Sequence, residues 1–293
     1  MAKDPIDLEA WRTPPVWELS SAGMLLQGNH VNKVWRGMAH PIDDTAPGLA
    51  MIIKWMRNPV ALATELACSL AGQALKLQVP AGRLVIADGS QLQGIPAEFE
   101  SRRVICFGSQ MQFPDDLPVF ARSDEAAKEF VWSKLCDAPQ GASGAGWDEL
   151  VANEDRHHEN VLFDGVRWWL FDHERALEPI AEVMRRYADL TVRQALIDYR
   201  VGRNQLASQM IQRRPRDHGL GDVPATLMAA RKRMQWLVNA AQKWKTGDSE
   251  VDGTLNIAEV VLRSIDHRLP ALALHLQARL QQPQGKSLWD STD

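Results

Sequence analysis

Asn153-Glu154-Asp155-Arg156-His157-His158-Glu159-Asn160, then Val161-Leu162-Phe163, Asp164-Gly165, Val166-Arg167-Trp168-Trp169-Leu170-Phe171 and Asp172-His173-Glu174, is the stretch that organises the chain. Two apolar runs rich in β-branched and aromatic residues flank Asp164-Gly165. Such a pair predicts a tight hairpin, because a type I′ turn needs positive φ at both central residues. Strands joined so tightly put their outer ends side by side. Asn160, just before the first strand, and Asp172, just after the second, are therefore expected on one edge of the hairpin. Asp155 lies on the loop leading in.

Asp, Asn and a second Asp at one edge suit phosphoryl transfer. Mg²⁺ takes oxygen ligands, usually one or two carboxylates completed by phosphates and water. A separate carboxylate then orients or deprotonates the attacking hydroxyl. Protein kinases carry an Asp-x-x-x-x-Asn loop, a short hairpin and a metal-binding Asp in this order. Asp155-x-x-x-x-Asn160 and Asp172 repeat that spacing. With Asp-Arg-His in place of His-Arg-Asp, the stretch resembles the compact HipA-like kinases and, more distantly, the phosphatidylinositol 3- and 4-kinases. Two other readings stand beside this one. A surface hairpin with incidental carboxylates has the same local pattern. Zinc ligation by Asp155, His157 and His158 would need adjacent histidines to converge, and no Cys or His partner sits nearby at ligand spacing.

Working outward towards the N-terminus, Leu49-Ala50-Met51-Ile52-Ile53-Lys54-Trp55 reads as a buried strand with one lysine. A helix over about 59–76 follows, with Asn58 as N-cap and Pro59 at its first position. It carries Glu65 among small and apolar residues. Lys54 and Glu65 resemble the strand-lysine and helix-glutamate ion pair of kinases, in which the lysine holds the nucleotide phosphates. Their alternatives are a snorkelling lysine and a solvated glutamate. Residues 17–39 suggest two strands around a turn at 27–32. Gly28 and Asn29 are the candidates there for phosphate contact, against an ordinary hairpin turn. Thr64-Glu65-Leu66 through Val79-Pro80 resembles the helix and Leu-x-Val-Pro segment of HipA-like kinases. Residues 95–110 should complete the sheet and enter the hinge that meets adenine. The resemblance spans roughly residues 20–177.

Between these parts, residues 123–136 read as a helix, and the Gly- and Ala-rich 137–146 as the most flexible tract. Residues 147–152 read as a short helix leading into the loop. Beyond Asp172, helical periodicity dominates 179–281, with Gly247 ending one helix and Pro270 breaking the last. The clusters Arg213-Arg214-Pro215-Arg216 and Arg231-Lys232-Arg233 fit an acidic or phosphorylated partner, or simply a solvated helix face.

Composition sets the outer bounds. The chain has 293 residues, 45% hydrophobic and 24% charged, with a net charge of −4, so no general attraction to nucleic acid or anionic membrane is expected. Cys68, Cys106 and Cys136 lie far apart, which reads as reduced thiols in a cytoplasmic protein. The N-terminus lacks a signal-peptide core, and no apolar run is long enough to span a bilayer.

The expectation is an α+β, two-lobed, protein-kinase-like fold. Residues 1–110 form a small antiparallel β N-lobe and 111–281 a mainly helical C-lobe, with a disordered tail over 282–293. The resemblance implies an ATP- and Mg²⁺-dependent phosphotransferase acting on a protein Ser/Thr hydroxyl, its own included, with a regulatory protein partner conceivable. In it Lys54, Glu65, Gly28 and Asn29 serve the nucleotide, Asn160 and Asp172 the metal, and Asp155 the acceptor hydroxyl. His157 braces the loop or touches the γ-phosphate. A small-molecule or lipid kinase, and a pseudokinase acting as a binding module, are the alternatives. Three departures qualify the pattern. The glycine-loop motif Gly-x-Gly-x-x-Gly is absent, Asp172-His173-Glu174 replaces Asp-Phe-Gly, and no Ala-Pro-Glu occurs. The chain is also shorter than the toxin-type HipA proteins, which puts transfer of their substrate in doubt.

Overall fold

The computed structural model describes residues 11–26, 32–43, 47–112, 125–186 and 191–281. Gly28, Asn29, the turn at 115–118 and the tail over 282–293 lie outside these. The chain is mixed α+β, with its strands concentrated in the first 110 residues and again around the hairpin.

Six strands build the main sheet: β1 (Val16–Leu19), β2 (Met24–Leu25), β3 (Lys33–Pro41), β4 (Leu49–Trp55), β5 (Gly82–Asp88) and β6 (Arg103–Gln110). Their order is β1-β5-β6-β4-β3-β2, and β1 also pairs with β3. That extra pairing closes the sheet on itself. The β1/β5 seam is parallel, Trp17 opposite Val85, so the sheet is not purely antiparallel as expected. A parallel seam arises because α1 (Pro59–Ala74) intervenes between the strands and the chain re-enters the sheet beside β1.

Alternation along the strands sorts their side chains by face. Trp17, Leu19, Trp35, Met51, Ile53, Trp55, Val85 and Cys106 fill the inside of the closed sheet. Leu84, Ile86, Ile105 and Phe107 point the other way, onto α1. Lys54 is out of phase with Ile53 and Trp55, so it faces away from the inner core. The expected strand and helix start are both present. Asn58 Oδ1 accepts from Val60 N at 2.9 Å, and Pro59 holds the first helical position. α1 is buried on almost every side, as an alanine-rich helix with no polar face must be.

The rest is helical apart from the hairpin. The helices are α2 (Glu125–Asp137), α3 (Pro139–Leu150), α4 (Glu178–Arg186), α5 (Val192–Asp198), α6 (Gln205–Arg213), α7 (Val223–Ala229), α8 (Arg231–Ala241), α9 (Ser249–Arg268) and α10 (Leu272–Gln281). One core runs without a break from Val16 and Leu84 through α1 into α8, α9 and α10. Gly247 takes positive φ after α8, and Pro270 lies in the single turn between α9 and α10.

The expected flexible tract is instead helix α3. Its glycines are packing sites. A Cβ on Gly146 would sit 2.3 Å from Val223 Cγ1, and one on Gly141 2.4 Å from the Leu135 carbonyl oxygen. Small residues here let α3 lie against its neighbours, and Pro139 at the first turn starts it. Burial of the Trp147 and Leu150 face outweighs the poor helix propensity of glycine.

Several residues of the basic clusters bind within the chain. Arg213 grips Glu129 with two hydrogen bonds, Arg231 pairs with Asp266, and Arg233 donates to the Ala74 carbonyl while lying over Trp11. Among the described residues, no helix is long and apolar enough to cross a membrane. All three cysteines are buried free thiols, and burial pushes Cys106 up to about 12 and Cys136 up to about 11.

Candidate active site

The hairpin forms from β7 (Val161–Phe163) and β8 (Trp168–Leu170), with Phe163 opposite Trp168. That register puts Gly165 and Val166 at the tip, one residue later than expected. Only Gly165 takes positive φ there, at +93°, so a type I′ turn on Asp164-Gly165 does not form. Asp164 Oδ1 accepts from Val166 N and Arg167 N instead, and its other oxygen accepts from Trp169 Nε1. At the open end Phe171 N donates to Asn160 O at 3.3 Å, so Asn160 and Asp172 do emerge side by side.

A buried network sets the shape of that end. Arg156 is fully buried and uses its whole guanidinium. Nε and Nη2 meet the Asp148 carboxylate at 3.0–3.3 Å. Nη1 donates to Asn160 O at 2.6 Å and to Phe171 O at 2.7 Å. One side chain thus clamps both strands at the point where the two polar residues leave them. Asn153 Nδ2 also reaches Asp148, at 3.1 Å, and Asn153 Oδ1 accepts from Asp155 N.

His173 completes the network. Trp147 Nε1 and Arg156 Nη2 both lie 2.9 Å from its Nε2. Both are donors, so Nε2 is the acceptor and Nδ1 carries the proton. Burial, Arg156 and Lys54 hold the imidazole well below its ordinary range, so it stays neutral. Its backbone N–H donates to Glu65 Oε2 at 2.5 Å. These contacts hold Asp172, between the pinned Phe171 and His173, at φ +61°, a conformation costly for a residue with a Cβ.

Lys54 projects from β4 to this loop. Its Nζ lies 2.6 Å from Asp172 Oδ1 and 2.7 Å from Glu174 Oε2. Glu174 Oε2 also accepts from Asn32 Nδ2 at 2.9 Å. Burial alone would lower the lysine, but Glu65, Asp172 and Glu174 outweigh it and raise its pKa. Glu65 stands behind this pair, fully buried. Burial pushes it up to about 8, against the opposing pull of Lys54. Its hydrogen bond goes to the His173 backbone, and the hydrogen-bonding partner of Lys54 is Asp172.

The remaining candidates line the loop. Asp155 is half-exposed, with Arg175 Nη1 3.7 Å from Oδ1. Asn160 is buried and donates through Nδ2 to the Asp155 carbonyl at 3.1 Å, which leaves Oδ1 as its open acceptor. His157 is half-exposed, 3.8 Å from Glu159, and burial lowers its pKa. Glu154 faces away and binds Tyr199 Oη and Gly202 N, anchoring the loop to the helical part. Among the described residues no three His, Cys, Asp or Glu side chains gather as a metal site. The Asp172 carboxylate and the open Asn160 Oδ1 are the oxygens suited to a hard cation, which would take its other ligands from phosphate and water.

Sequence reasoning missed Glu174, Asn32 and the Arg156–Asp148 pair. Arg156 and Glu174 lie within 153–174, but nothing local shows that one is buried and the other turned to β4. Asp148 lies in 147–152, where the local pattern points only to a short helix leading into the loop.

No family model and no curated protein matches the chain. Solved structures do. The chain is similar to the Helicobacter pylori proinflammatory kinase CtkA, with a TM-score of 0.53 and 10% identity, covering 90% of this chain and 98% of that one. It also matches HipA from a Shewanella oneidensis HipA–HipB–operator DNA complex, at 12% identity over 87% of this chain and 65% of that one. That second TM-score, 0.43, is too low to carry an argument. At such identities likeness speaks for the fold. The chain thus shares, over nine-tenths of its length, the fold of the kinase CtkA.

Proposed function

We propose that this protein is an ATP:hydroxyl phosphotransferase that uses Mg²⁺ and acts on a Ser or Thr of a protein. The observation that carries the reading is the 2.6 Å contact between Lys54 Nζ and Asp172 Oδ1. It joins a strand lysine to a loop carboxylate across more than a hundred residues, with Asn160 beside it and Asp155 on the same loop. Such groups converge where a polyphosphate and its cation have to be held together.

In this reading Lys54 takes the α- and β-phosphate oxygens. Asn160 Oδ1 and the Asp172 carboxylate would hold Mg²⁺, which when bound supplies charge neutralisation on the phosphates. Asp155 orients the acceptor hydroxyl and receives its proton as the oxygen bonds to the γ-phosphorus and ADP departs. Neutral His157 lies on the same loop, able to donate one hydrogen bond to the transferring group. Arg156 keeps Asn160 and Asp172 at fixed separation, so that positioning and charge stabilisation supply most of the rate. The preference for a protein hydroxyl comes from the resemblance to HipA-like kinases.

Transfer of label from γ-³²P-ATP tests this, with the protein alone and with a generic basic protein as acceptor. Asp155→Ala should lower transfer by at least a hundredfold while leaving nucleotide affinity within about threefold. Wild-type transfer no greater than that of Asp155→Ala, with ATP bound by both, would contradict it.

A further inference from the structure

Glu174 is a group in the site that the proposed chemistry does not use. It sits two residues after Asp172, and its Oε2 makes contacts in two directions. One is Lys54 Nζ at 2.7 Å, and the other is Asn32 Nδ2 at 2.9 Å. Asn32 immediately precedes β3. An oxyanion held by a lysine ammonium and an amide is what a nucleotide phosphate oxygen would find there. The carboxylate already fills the place.

The charge count matters as much as the contacts. Lys54 is the one cation in direct contact with Asp172 and Glu174 among the described contacts, and Arg175 acts on Glu174 only at longer range, so the two carboxylates share a single contacting ammonium. The three groups are largely shielded from water, with side-chain exposures of 16%, 35% and 21% for Lys54, Asp172 and Glu174. Screening there is weaker than on the open surface. A metal-free triphosphate would have to take Lys54 and Asn32 from Glu174 and then lie beside two carboxylates with one lysine to balance them. A nucleotide that arrives with a divalent cation brings the missing positive charge.

Resting on the phosphotransferase reading, we infer that Glu174 is a specificity residue that makes this site reject metal-free nucleotide and accept the metal-complexed form. Asp172 and Asn160 suffice as protein ligands for the cation, and Glu174 sets the penalty for arriving without it. Substitution of Glu174 should therefore act mainly on binding without metal.

The experiment is calorimetric titration of the full chain with ATP in EDTA and with ATP in excess Mg²⁺. It compares wild type, Glu174→Gln and Glu174→Asp, each first checked for an unchanged melting temperature. Glu174→Gln keeps the shape and loses the charge. It should bind metal-free ATP at least tenfold tighter than wild type, with the affinity for ATP in Mg²⁺ changed less than threefold. Glu174→Asp retains the charge and should keep a Mg²⁺-to-EDTA affinity ratio closer to wild type than to Glu174→Gln. If wild type binds ATP with Mg²⁺ and Glu174→Gln leaves metal-free affinity within twofold, the inference is wrong and the nucleotide site stands. If no form binds ATP under either condition, the phosphotransferase reading falls and this inference with it.

Discussion

Glu65 is a carboxylic acid kept inside the fold beside a lysine. Burial pushes it up to about 8, while its ordinary value is near 4.5. A raised carboxyl stabilises the folded state fully below the unfolded value. That contribution is lost as pH rises through the folded one. Between pH 6 and pH 9 the wild-type melting temperature should therefore fall. Glu65→Gln, which keeps the hydrogen-bond acceptor for His173 N, should flatten that slope, and parallel wild-type and variant curves would contradict this. His275 provides the opposite sign. Burial pushes it down to about 4, and its Nε2 lies 2.7 Å from the Ile197 carbonyl. Its contribution is intact above pH 6.5 and fades as pH falls towards 4. Substituting His275 by Gln should reduce the acid sensitivity of the melting temperature in that window.

Elements here depend on contacts between segments, and the hairpin shows it most clearly. Arg156 holds both of its strands by their terminal carbonyls while neutralising Asp148. Removing one member of a buried ion pair strands the other, at a cost of about 3–5 kcal/mol. Arg156→Lys keeps the charge but cannot reach Asp148, Asn160 O and Phe171 O together. It should lower kcat for phosphotransfer at least tenfold with a smaller change in KM, as steady-state kinetics would read. An unchanged kcat would remove Arg156 from the positioning role. α3 makes a second case. Gly146→Ala places a methyl 2.3 Å from Val223 Cγ1 and should destabilise by about 1–3 kcal/mol in a denaturant titration.

These elements also show what was legible in the residues themselves. β4 with Lys54, and α1 with Asn58 and Pro59, stood out because strand alternation and capping are local signals. The hairpin and the pairing of Asn160 with Asp172 at its edge were equally local, though the tip moved by one residue because Asp164 folds its own carboxylate onto the turn. α3 was misread because glycine and alanine signal flexibility in isolation and close packing in a core. The partners of Lys54 were out of reach for the same reason. Whether a carboxylate from 172–174 or one from α1 lies nearest is decided by how the loop bends under Arg156 and His173.

At the scale of the whole molecule, the outer face of the closed sheet and the helical part share one continuous core, beside the separate core inside the sheet. α1 lies between the closed sheet and α8 and α9, and Trp244 Nε1 donates to the Trp11 carbonyl across that junction. Arg103 at the end of the sheet pairs with Asp248 at the start of α9. Such continuity predicts that the two parts unfold together. Tryptophan fluorescence and far-ultraviolet dichroism should report one coincident denaturant transition. Two separated transitions would mean that the parts are independent units. A shared core also fixes where Lys54 from the sheet meets Asp172 from the hairpin loop. The contact among Lys54, Asp172 and Glu174 is thus set by the fold itself.

In the phosphotransferase reading, Lys54, Asn160 and Asp172 form a site for a nucleotide and its metal ion. Thermal unfolding of wild type and Asp172→Asn, with ATP in the presence and absence of Mg²⁺, tests it most directly. Ligand at a hundredfold excess over Kd should stabilise the fold by about 2.7 kcal/mol, a shift of a few degrees. The expected result is a shift in wild type that requires Mg²⁺ and fades in Asp172→Asn. No shift in wild type at millimolar ATP, or an equal shift in both proteins, would contradict it.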